Sequence, residues 1–212
     1  MAQFFNERAD GYEEHMRSFV SELYDVIASP IAATGKPISI LDLGCGTGLE
    51  FKAIFARAPN ALITGVDISE KLLSRLRDKY QARMSQIRLI HGFFERVFPS
   101  KDEYDYVLSV MALHHLLPTP KRKLYRKIRK LLRTGGKYIE GDYVVSKRKE
   151  REFLSAYNKT IEEYQLSPNK IYHIDLPCSI KTQIELLSKA GFKKVRTIWK
   201  KGEAAIFVAE AS

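Results

Sequence analysis

Apolar positions along the chain change period several times, and each change marks an element. Between residues 7 and 28, Phe19, Val20, Leu23, Tyr24 and Ile27 recur at helical spacing and predict an N-terminal helix. Short, almost wholly apolar runs follow: ISILDL (38–43), ALITGVDI (61–68), IRLIHGF (87–93) and YDYVLSV (104–110), with KYIEGDYVV (137–145) after them. Strands covered on both faces read this way. Helical patterns at 49–58, 70–83 and 119–133 separate them, and such alternation implies a parallel sheet with helices on both sides. The tail departs from it. A helix at 149–167, a Pro-bounded loop at 168–178 and a helix at 180–190 stopped by Gly191 lead into KKVRTIWKK and AAIFVAEA, which flank Lys201, Gly202 and Glu203 as an antiparallel hairpin. The expected architecture is α/β: a doubly wound, mostly parallel seven-stranded sheet with a C-terminal antiparallel strand.

At 212 residues the chain suits one domain with a full core. No apolar run approaches the roughly 18 residues that span a bilayer, and MAQFFNERADGYEEH lacks the basic start of a secretory signal, so a cytoplasmic protein is expected, with no membrane partner. Cys45 and Cys178 have no partners at a zinc-like spacing. The histidines at 15, 91, 114, 115 and 173 form no HExxH-type pattern, so no metal site is expected. The net charge of +10 arises between Pro118 and Arg151, where thirteen Lys or Arg face three acids. Most of these lie in PTPKRKLYRKIRKLLRTGG, where Leu124, Ile128, Leu131 and Leu132 form an apolar stripe and the basic residues fill the other, solvated faces.

Glycine appears where the backbone needs φ above zero or must touch a ligand. In ILDLGCGTGLEF, Gly44, Gly46 and Gly48 sit between a buried strand and a helix, at the crevice beyond the strand's C-terminal end where open α/β sheets bind ligands. The pattern D-x-G-x-G-x-G starts at Asp42, whereas a dinucleotide site needs G-x-G-x-x-G, and an acid there would repel a pyrophosphate. A phosphate-free ligand bearing an ammonium group fits better. Asp67, nineteen residues after Gly48 at the end of the second strand, is suited to both hydroxyls of a ribose, or alternatively to capping the helix that begins at Ser69.

LDLGCGTG, GVDIS, YDYVLSVMALHHL and LLRTGGKYI together closely resemble the motif series of class I S-adenosylmethionine-dependent methyltransferases, over about residues 38–145. The resemblance implies a Rossmann-like fold and S-adenosylmethionine as cofactor. It also implies that Gly44 and Gly46 contact the methionine part, with Asp42, Cys45 and Gly48 in the same loop, that Asp67 holds the ribose and that Ile68 packs on adenine. Phe93 stands where similar enzymes often carry an Asp for the adenine amino group, and would wall the base with Phe94 and Glu95 beside it. Ser109, Val110 and Met111 would line the other side of the cofactor. FFNERADGYEEH resembles the lid of similar small-molecule methyltransferases, from which Tyr12 and Arg8 would close on the cofactor. The division implied within a single domain is a helical lid at 1–35, a cofactor core at 36–145, an insertion over the substrate at 146–178, and a closing helix and hairpin at 179–212.

A sulfonium methyl is already reactive, so the protein has chiefly to align a nucleophile and exclude water. Where the acceptor carries a proton, a general base helps. The candidate catalytic residues are His115 and Asp142; His114, Tyr143, Tyr172 and His173 are candidates for contact with a small-molecule substrate. A monomer or homodimer is expected. An RNA-modifying methyltransferase using the basic segment is the first alternative, although SVMALHHL replaces the Asn/Asp-Pro-Pro-aromatic turn of base-amino methylation and neither cysteine is placed for carbon-5 chemistry. Tyr143 and Lys147 make the Tyr-x-x-x-Lys pair of short-chain dehydrogenases, but the glycine spacing argues against a nicotinamide enzyme. A non-catalytic module on the same scaffold is the third alternative.

Overall fold

The computed structural model describes residues 1–94, 104–167 and 172–211. Glu95 therefore lies outside the described residues, as does part of the loop expected at 168–178. Two helices come first, α1 (Ala2–Glu7) and α2 (Tyr12–Val26); α2 is the N-terminal helix expected between residues 7 and 28, and α1 precedes it. Helix α1 stops at Arg8, and Gly11, with φ of +75°, is the cap residue from which α2 starts. A second departure from helical geometry, at Val20, kinks α2.

Strands and helices then alternate: β1 (Ser39–Leu43), α3 (Phe51–Arg57), β2 (Leu62–Asp67), α4 (Glu70–Lys79), β3 (Ile87–His91), β4 (Tyr104–Val110), α5 (Pro118–Leu131) and β5 (Leu132–Tyr143). After them come α6 (Lys147–Glu163), α7 (Ile180–Lys189), β6 (Lys193–Lys201) and β7 (Ala204–Glu210). The seven strands lie in the order β3-β2-β1-β4-β5-β7-β6. The first five are parallel, and β7 enters antiparallel between β5 and β6. A tight turn at Gly202 (φ +56°) closes the β6–β7 hairpin.

Burial on both faces holds for β1, β2 and β4 but not for β3, an edge strand with Arg88 and His91 exposed. Strand β5 starts earlier than expected because Leu132 already pairs with Tyr104, before a shift in register brings Lys137 opposite Tyr106. At Gly141 the sheet has no room for a side chain, since a Cβ there would meet Ile27 Cδ1 at 2.9 Å. That bare spot seats α2 on the sheet. Helix α5 buries Leu124 and Ile128 as its stripe predicts, and Tyr125 besides; Leu131 is half-buried and Leu132 already belongs to β5, while Lys123, Arg126, Lys127 and Lys130 are exposed. Lys121 departs from the expected solvated face: it is only 2% exposed, and its Nζ lies 3.1 Å from Glu140 Oε1 and 3.8 Å from Asp142 Oδ2. No helix of the described residues is long and apolar enough to cross a membrane.

Candidate active site

The loop after β1 turns sharply because Gly44, Gly46 and Gly48 all have positive φ, at +80°, +50° and +66°. A Cβ on Gly44 would stand 2.5 Å from Ala112 Cβ, so no other residue fits there. Over Gly46 the nearest atom to such a Cβ is the Tyr12 hydroxyl, at 3.3 Å, which puts the start of α2 directly on the loop. At Gly48 the space is taken by Phe51 and Leu76, so this glycine serves helix packing rather than a ligand.

The Asp67 carboxylate organises the crevice. Its Oδ2 accepts from Gly46 N and its Oδ1 from Ser69 N, both at 2.8 Å. Burial raises its pKa above the usual carboxylate value, although those amides favour its charge. The helix-cap role weighed for this aspartate belongs instead to Ser69, whose hydroxyl accepts from Leu72 N at 3.2 Å. Tyr12, Gly44, Asp67, Ile68, Phe93 and Phe94 line one narrow cleft, and the two phenylalanines stack at 5.0 Å. Met1 and Phe5 of the N-terminal segment close it, leaving about 40 Å³. Helix α1 is latched in place by Asn6 Oδ1, which accepts from Ser69 Oγ at 2.7 Å, while Glu13 pairs with Lys79 at 2.7 Å.

Beneath the loop lies Asp42, fully buried, with neither carboxylate oxygen reached by a donor among the described residues. Burial raises its pKa to about 6, and buried Glu50 beside it is raised well above the ordinary range by burial and by Asp42. Such a pair costs stability wherever the unfolded chain ionises freely, and an orphaned acid under a bare loop is suited to a cationic ligand. Asp42→Asn is accordingly expected to stabilise the free protein by on the order of 1–3 kcal/mol at pH 7.5. The gain fades as pH falls through about 6 toward 4, because the folded pKa lies above the unfolded one and both forms become neutral. Thermal melts at the two pH extremes check this, and calorimetric titration with S-adenosylmethionine should show weaker binding in the same variant.

Two further candidates from the cofactor loop and β4 turn away from the cleft. Cys45 is buried, with Sγ 2.8 Å from where a Gly65 Cβ would stand, and its N–H is spent on Val66 O at 3.1 Å. Ser109 donates to Leu43 O at 2.9 Å and ties β4 to β1. Met111, by contrast, holds φ at +51° directly after β4 and reaches the cleft. Strain at that position aims the next residues across the strand ends.

Those residues include the short 3-10 turn Leu113–His115. His114 Nδ1 lies 2.6 Å from Asp142 Oδ1, with both side chains buried. Burial alone would raise the Asp142 pKa, but His114 and Lys121 hold it below the usual range. His115 Nδ1 lies 3.3 Å from Asp175 Oδ1, and that contact lowers the Asp175 pKa while burial lowers that of His115. A backbone bond from Leu176 N to His114 O, at 2.6 Å, pins the 172–178 segment to the turn. His173 stacks on Phe4 at 3.6 Å, and burial lowers its pKa to about 4.

His114, His115, Tyr143, His173 and Asp175 share the wall of a cavity of about 490 Å³, roofed by α1 and the start of α2. It meets the narrow cleft at Phe5, Tyr12, Met111 and His115. Arg8 lines the cavity with its guanidinium 3.7 Å over Phe4. Tyr172 is not on that wall: its hydroxyl donates to Ser167 O at 3.1 Å. Sequence reasoning passed over Asp175 and Glu50, whereas Phe4 and Phe5 begin the stretch read as the lid. No spacing in the sequence marks Asp175, which reaches the turn only because Leu176 N bonds to His114 O.

A glycine cradle with no room for a Cβ, an acid at the end of β2 bonded into it, an orphaned acid below, and this strand order define a nucleoside-binding enzyme of the class I methyltransferase type. Comparison with known proteins agrees. Residues 40–136 match a family model described as a methyltransferase domain. The carboxy-S-adenosyl-L-methionine synthase of Nautilia profundicola is 22% identical over 184 residues, 80% of this chain and 76% of the relative. The 27-O-demethylrifamycin SV methyltransferase of Amycolatopsis mediterranei is 33% identical over 110 residues, 50% of this chain and 39% of that protein. Among solved structures, a DhpI–SAH complex superposes with TM-score 0.73 at 12% identity, covering all of this chain and 95% of that one. An O-methyltransferase structure from Nostoc punctiforme gives TM-score 0.71 at 23% identity, but this chain spans only 60% of its length. Together these matches support the class I S-adenosylmethionine-dependent methyltransferase superfamily for this chain. It is an enzyme, and S-adenosylmethionine is its cofactor.

Proposed function

We propose that the enzyme methylates a small molecule held in the 490 Å³ cavity between the N-terminal helices and the histidine wall. The observation that carries this reading is enclosure: the cavity is within the size range of small-ligand sites and meets the cofactor cleft at Met111 and His115. When bound, S-adenosylmethionine supplies an electrophilic methyl on its sulfonium. The chain's own part is to hold its sugar at Asp67, neutralise its ammonium near Asp42, and keep water out with Phe4, Phe5 and Met111. Since about 40 Å³ is far less than an adenosine occupies, Met1 and Phe5 must swing aside for it to enter. The acceptor's polar atom then faces His115 and His114, with Asp142 positioning the latter, and Tyr143 and His173 bound the rest.

The solvated face of α5, with Lys123, Arg126, Lys127 and Lys130 exposed, offers RNA a basic surface, and that face carries none of the residues that line the cavity. Incubating the protein with methyl-labelled S-adenosylmethionine and separately with a desalted metabolite fraction or total RNA distinguishes the two. Label entering compounds of low mass is expected; label confined to RNA, lost steeply with added salt, overturns the proposal.

A further inference from the structure

Three donors on two separate segments converge at the cavity wall. His114 Nε2 is 3.7 Å and His115 Nδ1 is 3.3 Å from Asp175 Oδ1. One ligating atom from each of the three residues falls within 4.8 Å of the others. Donors bound at roughly 2.0–2.1 Å in a tetrahedral site stand about 3.3 Å apart, so small side-chain rotations complete the geometry. Among the described residues the other contact of His115 Nδ1 is a long one, to Ile174 O at 3.4 Å.

The second observation is what stands behind His114. Its Nδ1 is taken by Asp142 Oδ1 at 2.6 Å, which fixes the proton on that nitrogen and leaves the Nε2 lone pair aimed at Asp175. A carboxylate on the far nitrogen of a ligating imidazole is the arrangement that orients metal-binding histidines. Lys121, itself paired with Glu140 at 3.1 Å, stands behind Asp142 at 3.8 Å. The chain from α5 through β5 to the turn is thus rigid before any ion arrives. Sequence spacing gave no sign of it, since Asp175 lies sixty residues after His115.

We propose that His114, His115 and Asp175 form a binding site for a first-row divalent cation, with its remaining positions open to the cavity. Two imidazoles and one carboxylate favour zinc, iron, cobalt, nickel or manganese over calcium or magnesium, which prefer all-oxygen sets. The ligand for the open positions is an acceptor oxygen, so the substrate class is a small molecule that chelates through a hydroxyl with a second oxygen nearby. The cation polarises that hydroxyl and eases loss of its proton to solvent. This rests on the small-molecule reading above. His173, stacked on Phe4, is outside the set.

The test needs neither acceptor nor cofactor turnover, so it separates the metal site from the acceptor reading. Full-length protein stripped with a chelator is titrated with Co²⁺ and followed by visible d–d absorption, with Zn²⁺ and Mn²⁺ by calorimetry. One ion per chain is expected. Affinity should fall at least about 100-fold in His115→Ala and Asp175→Asn, and about 10–100-fold in Asp142→Asn. A wild-type far-ultraviolet circular dichroism spectrum and a cooperative melt in each variant show that it has folded. Failure of all three metals to bind, or binding untouched by both His115→Ala and Asp175→Asn in folded protein, overturns the proposal.

Discussion

Lys121→Met is expected to destabilise the protein by about 3–5 kcal/mol, the usual consequence of removing one partner from a buried ion pair. Methionine nearly matches the lysine stem in volume, so the loss reports charge rather than a cavity. In the folded chain burial opposes the ammonium, but Glu140 and Asp142 keep it protonated, above the ordinary lysine value. Glu140 also accepts from Tyr125 and Tyr138, at 2.7 and 2.9 Å, and Gln183 donates to Tyr125, so one carboxylate collects α5, β5 and α7. Without Lys121 that carboxylate is buried among neutral donors only. For a chain of this size the melting temperature should drop by on the order of 10 °C. The double variant Lys121→Met with Glu140→Gln should recover part of the loss, because the uncompensated charge has gone. An unchanged midpoint in the single variant would show that the pair contributes little.

The same network shows where sequence reading stops. Strands and helices were legible because burial on two faces writes apolar runs and burial on one face writes a 3.6-residue period. Lys121 obeys neither rule: by type it belongs on a solvated face, and only the acids of β5, nineteen and twenty-one positions later, draw it inward. The glycine loop was legible because positive φ and the approach of Ala112 leave no alternative to glycine. Cys45, between two of those glycines, faces the opposite way, toward Gly65, because a loop that turns at every second residue points its intervening side chains into the core. Asp67 stood out from its place at a strand end. Asp175 did not, since its meaning arises only when Leu176 bonds to His114 and folds a loop against a turn. Composition likewise flagged the basic helix, whereas the polar wall of the cavity is built from residues scattered over the N-terminus, two turns and a late loop.

Asp67→Ala is expected to weaken S-adenosylmethionine binding at least about 100-fold, since hydrogen bonds to a charged group contribute about 1.5–3 kcal/mol each. Each carboxylate oxygen already accepts one backbone N–H, from Gly46 or Ser69, and an ionised carboxylate has about four acceptor sites. Two sites thus remain for the vicinal hydroxyls of a ribose, on the side where the residue borders the cleft. Loss of the loop's anchor would also lower affinity, so the sugar contact needs its own readout. Calorimetry with S-adenosylhomocysteine and its 2′-deoxy counterpart supplies one through a double-mutant cycle. Wild-type protein should prefer the hydroxylated ligand by roughly tenfold or more, and Asp67→Ala should bind both equally weakly. A variant that keeps the full preference while losing affinity would show that Asp67 only shapes the loop and that another group holds the sugar.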